Sequence, residues 1–502
     1  MSSAQAEGIS GRTAAGASLM IVARLGTRSI DFATLVVLGR LLSPPDFGLV
    51  AIAMSVMMVI EAVSELPTMQ ALMRIPVLSK AHYDTGFTFA IMRALVLAVA
   101  LCALAWPLAQ LYGDSRLTAL LCAAWIAPAS RSLGSPVLVE YFRKFDFRPV
   151  LATELAGKSL SFMTSVSMAW YTGSYWSILA GTLVAPVTIS AISYYIAPYR
   201  PKLSFAGWHE MSGFFGWTMA SQLVEAANWQ MDRLILARFI NATHLGRFSM
   251  ADTLANVPNQ VIITQVSGPL VVAFSHIRDD IQRLARAYLS SAASIVTIGV
   301  PAMVGLSLLA EPVVRLVLGD QWLEAAPILQ WLSIALIPYF FIAPMAPLFI
   351  AINRTKMFLI LSTAEFTLKF LLILPAVIWF GITGVVELRL VMSVVIAIYS
   401  MFAVRSAIAL SVISQLVSPW RPILSAAAMA LLIGCCRAWL ASLNAPLPLA
   451  LGLGIVVSLS VVVYATSLLL LWLLTGRPAG LETKAIALLS RYSSRLFAVT
   501  GG

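Results

Sequence analysis

The sequence predicts an all-α integral membrane protein with about fourteen transmembrane helices. Three observations predict it. The 502-residue chain is 60% hydrophobic and 11% charged, with a mean hydropathy of +0.89, too little charge to cover a soluble protein of this size. Apolar runs of about 20 residues recur from end to end, each long enough to cross a hydrocarbon layer of about 30 Å as a helix. The runs do not alternate in ten-residue segments as barrel strands do, and lipid offers the backbone no partners outside a helix or a closed barrel.

In chain order the spans fall near 14–38, 46–66, 86–111, 115–135, 150–171, 175–197, 211–238, 244–271, 286–310, 326–350, 356–380, 383–410, 421–441 and 447–474. Residues 1–12 are polar. The first run carries Arg24, Arg28 and Asp31 and lacks a cleavage site, so it reads as a span rather than a signal peptide. Between spans 1 and 2 lies LGRLLSPPDFGLV, residues 38–50. There Pro44 and Pro45 end the first helix, and Asp46 is placed to cap the second. Beyond span 14 the tail 476–502 carries Arg477, Lys484, Arg491 and Arg495 in an amphipathic setting, which suits the membrane surface on the cytoplasmic side.

Charge orients the spans. With the N-terminus inside, inside loops and the tail hold 18 Lys and Arg, and outside loops hold 6: Arg40, Arg116, Arg238, Arg247, Arg315 and Arg437. Both termini are therefore expected in the cytoplasm. This rule also accounts for the net charge of +11. No basic domain outside the spans suggests nucleic acid as a partner. The four cysteines, Cys102, Cys122, Cys435 and Cys436, sit in apolar runs without metal-ligand spacing and read as small reduced core residues; the four histidines are scattered among separate loops.

The 38–50 stretch returns 198 residues later as LARFINATHLGRF, 236–248, with Arg40 matched by Arg238 and Gly48 by Gly246. Both stretches follow the first span of a series of six. Two six-helix lobes follow, 1–200 and 207–412, with an extra helix pair at 421–474. An even number of spans gives the two lobes the same orientation, as in parallel-repeat transporters.

Charge at membrane depth is costly and usually faces a bundle interior or a wet cleft. Arg24, Arg28 and Asp31 are spaced i, i+4, i+7 on one face of span 1. Span 2 holds Glu61 and Glu65. Span 7 carries a stripe of Gln222, Glu225, Trp229 and Asp232, with Asn228 and Arg233 beside it. Span 8 repeats the spacing in Asp252, Asn256 and Asn259, and span 11 has Glu365 and Lys369. The candidate cavity set is Arg24, Arg28, Asp31, Glu225, Asn228, Asp232, Asp252, Asn256 and Lys369; Arg40 and Arg238 are gate candidates. For Glu365 with Lys369, and for Arg28 with Asp31, a purely structural ion pair is the competing reading. On span 1 two cations exceed what Asp31 balances, and the planar guanidinium suits a phosphate.

No complete nucleotide-binding loop, nucleophile elbow or metal-ligand helix is present: GRTAAGAS at 11–18 lacks the lysine of a phosphate loop. No cofactor is expected. Transport driven by a proton or sodium gradient, or by the substrate's own gradient, fits better than an ATP-driven pump or an enzyme.

The segments LGRLLSPPDFGLVAIAMSV (38–56), TMQALMR (68–74) and MDRLILARFINATHLGRFSMADTLANVP (231–258) resemble Wzx-type polysaccharide flippases of the multidrug/oligosaccharidyl-lipid/polysaccharide exporter superfamily. The resemblance extends over nearly the whole chain. It implies movement of an undecaprenyl-diphosphate-linked oligosaccharide from the cytoplasmic to the outer leaflet of the bacterial inner membrane, for lipopolysaccharide or exopolysaccharide synthesis. It also implies two lobes that alternate between V shapes around a cationic cavity. Membrane lipids, a polysaccharide polymerase and glycosyltransferases are the expected partners. Asp232 and Arg233 match a recurring dipeptide of that family. A peptidoglycan-precursor flippase and an ion-coupled drug exporter of the same superfamily are the alternatives.

Overall fold

The computed structural model describes residues 24–64, 68–75, 77–144, 146–208, 215–443 and 445–477. The first part of span 1, Glu65, the side chain of Gln222 and the tail 478–502 lie outside the described residues. Among the described residues there are helices and no strand. Nine of these helices are long and apolar enough to cross a membrane. The Arg148–Thr172 and Phe215–Phe239 helices, 25 residues each, are not among the nine. Both carry several of the charges that matter below.

Proline and glycine break some runs that hydropathy alone joins. Span 4 is two helices, Arg116–Ala124 and Ile126–Ser132, because Pro128 has no N–H to give the carbonyl of Ala124. Span 10 divides into Ala326–Ile342 and Met345–Ala351, with Pro344 in the break. Spans 11 and 12 run on as Thr355–Ile408, interrupted where Gly381 takes φ 60° and ψ −138°, a conformation that favours glycine. The four cysteines are free; Cys102 and Cys435 are exposed rather than in the core.

Packing divides the chain into two compact units, Met1–Ser249 and Met250–Gly502. In the first, Arg148–Thr172 packs along Trp176–Ile196 through small residues. A Cβ on Gly157 would lie 2.6 Å from Ile189 Cγ1, one on Gly181 would lie 1.8 Å from Ser165 Oγ, and Ser161 Oγ donates to the Gly181 carbonyl at 2.7 Å. Such close approach is how helices associate where lipid cancels the hydrophobic drive. The segment after span 6 is hydrogen-bonded to the start of the Lys80–Tyr112 helix. Asp84, buried, accepts from the Tyr199 hydroxyl and from Lys202 N; Thr88 Oγ1 accepts Ser204 N at 2.9 Å, and Thr85 Oγ1 accepts Gly207 N at 3.0 Å. Burial and this bond to Asp84 push the Tyr199 hydroxyl well above its ordinary pKa.

In the second unit, Ile281–Leu308 packs on Ala326–Ile342, where a Cβ on Gly299 would meet the Phe340 ring at 2.6 Å. Buried Gln415 closes the chain end of Thr355–Ile408 by donating to the carbonyls of Met401 and Leu410. The final pair, Trp420–Ala441 and Pro446–Leu474, is tied in by the Tyr464 hydroxyl, which donates to the Thr297 carbonyl at 2.7 Å.

The repeated turns meet one another within the first unit. The second helix starts at Pro44 rather than at 46, so the prolines open it and Asp46 is its third residue, reaching back to accept from the backbone N–H and the hydroxyl of Ser43. At the start of Ala242–His276, Asn241 Oδ1 accepts His244 N at 2.9 Å. The two helix ends then cross reciprocally. A Cβ on Gly48 would fall 1.9 Å from the Ala242 carbonyl oxygen, and one on Gly246 would fall 1.8 Å from the Pro44 carbonyl oxygen. Each glycine is needed because the neighbouring backbone occupies the space of its missing side chain.

Candidate functional site

The face of span 1 builds the first charged cluster. The described part of that helix, 24–41, lies against Arg148–Thr172; a Cβ on Gly26 would sit 3.4 Å from Leu155 Cδ2. This contact brings Lys158 to Asp31, Nζ to Oδ1 at 2.5 Å, with both side chains partly exposed. Glu154, one turn before Lys158, is within electrostatic reach of both Arg24 and Lys158. Charges therefore alternate across the helix pair: Arg24 and Asp31 on one helix, Glu154 and Lys158 on the other. Arg24 and Arg28 are exposed. The two added charges cancel each other, so the five named groups still sum to one positive charge, as on span 1 alone. Two guanidiniums spaced one helical turn apart can grip two phosphoryl groups, each through its planar fork.

The stripe on span 7 divides by exposure. In Phe215–Phe239, Glu225 and Trp229 are exposed, Asn228 is half-buried, and Asp232 is 3% exposed. This helix packs along Pro44–Ser64, where Gln230 Nε2 donates to Met58 Sδ at 3.1 Å, and Tyr112 donates to the Leu234 carbonyl. Asp232 is thus inside the protein, while Glu225 and Trp229 stay accessible.

In the second unit, Asp252 and Asn256 come together. Asn256 Nδ2 donates to Asp252 Oδ1 at 3.0 Å, and Arg389 Nη1 reaches the same oxygen at 2.6 Å. All three are largely buried. Such a pair locks Ala242–His276 to the segment after Gly381, since removing one partner would strand a charge. Glu365 accepts from the Tyr339 hydroxyl at 3.1 Å, with Lys369 half-buried one turn on. Arg40 and Arg238 are both exposed where their helices end at the repeated turns.

The cross-helix contacts of Glu154, Lys158 and Arg389 escape a reading by spacing. For the first two a signal exists all the same: Glu154 and Lys158 are an i, i+4 pair inside an apolar run, as Glu365 and Lys369 are. Among the described residues no group of His, Cys, Asp and Glu could hold a metal ion.

Comparison with known proteins bears on this arrangement. A family model described as polysaccharide biosynthesis protein matches residues 37–327. The succinoglycan biosynthesis transport protein ExoT of Rhizobium meliloti (strain 1021) is 26% identical over 317 residues, 63% of this chain and 64% of that protein. The lipopolysaccharide biosynthesis protein WzxC of Escherichia coli (strain K12) is 23% identical over 337 residues, 64% of this chain and 66% of that protein. The match thus spans slightly less than two thirds of each relative. In fold, the chain is similar to the lipid II flippase MurJ in an inward closed conformation, with a TM-score of 0.70 and 14% identity over 90% of this chain and 98% of that one.

Proposed function

The chain belongs to the polysaccharide biosynthesis protein family, and from that membership we propose that it is a lipid-linked oligosaccharide flippase. It is a multi-pass membrane protein. It moves undecaprenyl-diphosphate-linked repeat units from the cytoplasmic to the outer leaflet of the bacterial inner membrane, for lipopolysaccharide or exopolysaccharide synthesis. It works by alternating access, as a transporter and not an enzyme, with two six-helix lobes, an extra pair and both termini in the cytoplasm. A proton or sodium gradient drives it, and a polymerase and glycosyltransferases work beside it. The family match includes all three segments whose resemblance points to Wzx-type flippases, at 38–56, 68–74 and 231–258. The fold likeness to a lipid II flippase supports the architecture and says nothing of the sugar.

One observation at the site carries the reading: the exposed Arg24 and Arg28 head a cluster whose charges sum to +1. A diphosphate is the part of such a substrate common to every glycan. Two arginines one helical turn apart bind it, and Lys158 takes up the charge of Asp31 beside them.

The test is complementation of a host that lacks its own polysaccharide flippase, with Arg24→Ala, Arg28→Ala and Arg40→Ala alongside the parent and with membrane levels checked. Surface polysaccharide restored by the parent and by Arg40→Ala, but reduced at least tenfold in the two helix variants, is expected. Drug resistance gained without polysaccharide in several hosts would refute the flippase. Full activity of both helix variants would refute the diphosphate role of these arginines.

A further inference from the structure

Glu61, one of the acidic pair on span 2, lies one turn from the end of the Pro44–Ser64 helix and is largely buried. Arg131 Nη1 lies 3.2 Å and Arg93 Nη2 lies 3.5 Å from its Oε1. Arg93 Nη1 also donates to Ser132 Oγ at 3.1 Å. The Arg93 and Glu61 side chains are largely buried, at 12% and 16% exposure, while Arg131 is half-exposed. Arginine 93 interrupts an otherwise apolar run in the Lys80–Tyr112 helix.

Both arginines line a cavity of about 290 Å³ within the first unit, walled by the Thr68–Arg74, Lys80–Tyr112, Ile126–Ser132 and Trp176–Ile196 helices. Arg93, Arg131 and Ser132 form a polar end, and Leu72, Phe89 and Ile189 supply apolar wall. Glu61 does not line the cavity but contacts both of the guanidiniums that do. The volume sits at the bottom of the range for small-molecule sites, about 300 to 1,000 Å³. It suits one anionic headgroup and the start of an apolar stem, and is too small for an oligosaccharide.

We propose that this cavity binds a phosphate group carried on a lipid, gripped by Arg93 and Arg131, with Glu61 as the internal anion that orients the pair and competes with the ligand. The site is separate from the span 1 cluster and stands whether or not the chain is a flippase. The carboxylate already seated between the guanidiniums shows that their spacing accepts an anion. Guanidinium forks match phosphate oxygens as well as carboxylate oxygens. The apolar walls favour a ligand with a hydrocarbon stem over a free ion.

Binding to the purified full-length chain tests this, with dihexanoyl phosphatidic acid, inorganic phosphate and dihexanoylglycerol as probes. The expected result is saturable binding of phosphatidic acid, with phosphate much weaker and dihexanoylglycerol not bound. Arg93→Gln should weaken binding at least tenfold, and Glu61→Gln should tighten it about tenfold, a change of about 1.4 kcal/mol. Ala90→Leu keeps every charge but fills the cavity that Ala90 lines; it should also weaken binding tenfold in a protein with parental thermal stability. Equal binding of phosphate and phosphatidic acid would overturn the lipid half of the proposal. Equal binding of dihexanoylglycerol would overturn the phosphate half. Absence of binding, or parental binding in both Arg93→Gln and Ala90→Leu, would overturn it entirely and leave the three charges as a brace between helix ends.

Discussion

The turn at 41–48 and its counterpart 198 residues on solve one problem in two ways. Each must end a greasy helix, reverse the chain and start another with its first N–H groups satisfied. In the first turn the residue three places into the turn does the accepting: Asp46 takes the N–H and the hydroxyl of Ser43. In the second the cap residue itself accepts, Asn241 from His244 N, with His244 Nδ1 2.8 Å from the same oxygen. These are the two arms of a capping box, one retained in each copy. What the two turns share in their packing is the glycine one turn further on, set against a backbone carbonyl in each. Chemistry at the cap is exchangeable, whereas backbone proximity is not.

The largest effect should therefore come from the glycines. Gly48→Ala or Gly246→Ala should each lower stability by about 3 kcal/mol, read as the thermal unfolding of the purified protein. The double variant should cost clearly less than the two together, because both relieve the same crossing. Full additivity would mean the two contacts are independent and would break the comparison. At the caps, Asp46→Ala and Asn241→Ala should each cost about 1 kcal/mol, while Ser43→Ala should cost less, since its N–H still reaches Asp46. A Ser43→Ala loss equal to Asn241→Ala would show that the two caps work alike after all. The smallest effect is expected at Arg40 and Arg238. Both are exposed, so Arg40→Ala with Arg238→Ala should change stability by under about 0.5 kcal/mol. A change in polysaccharide export at unchanged stability would make them gate residues.

The same contrast explains how much was legible beforehand. Helix positions followed from runs of apolar residues, and the likeness of the two turns from Arg40, Gly48 and their partners. The breaks at Pro128 and Pro344 were not legible, because Pro107, Pro186 and Pro301 lack the same donor and yet lie inside continuous helices. Nor was Gly381, because a glycine shows its positive φ only once the chain around it is placed. Charged pairs were legible only along one helix. Span 1 read as two cations against Asp31, yet Asp31 meets Lys158, 127 residues away. Asp252 and Asn256 read as cavity groups, yet Arg389 closes on them from another helix. Glu61 paired on sequence only with Glu65, and the arginines it meets stand 32 and 70 residues further along. Periodicity constrains which residues share a face; it carries no information on which faces meet.

The crossing of Gly48 and Gly246 also limits what either helix end can absorb. A side chain that faces a side chain can turn aside when its neighbour grows. Here the surface facing each glycine is a main-chain carbonyl, at Ala242 and at Pro44, which no substitution can shorten. A larger residue at either position can be met only by moving a helix, whereas the caps beside it are made of side chains and can be exchanged one for another.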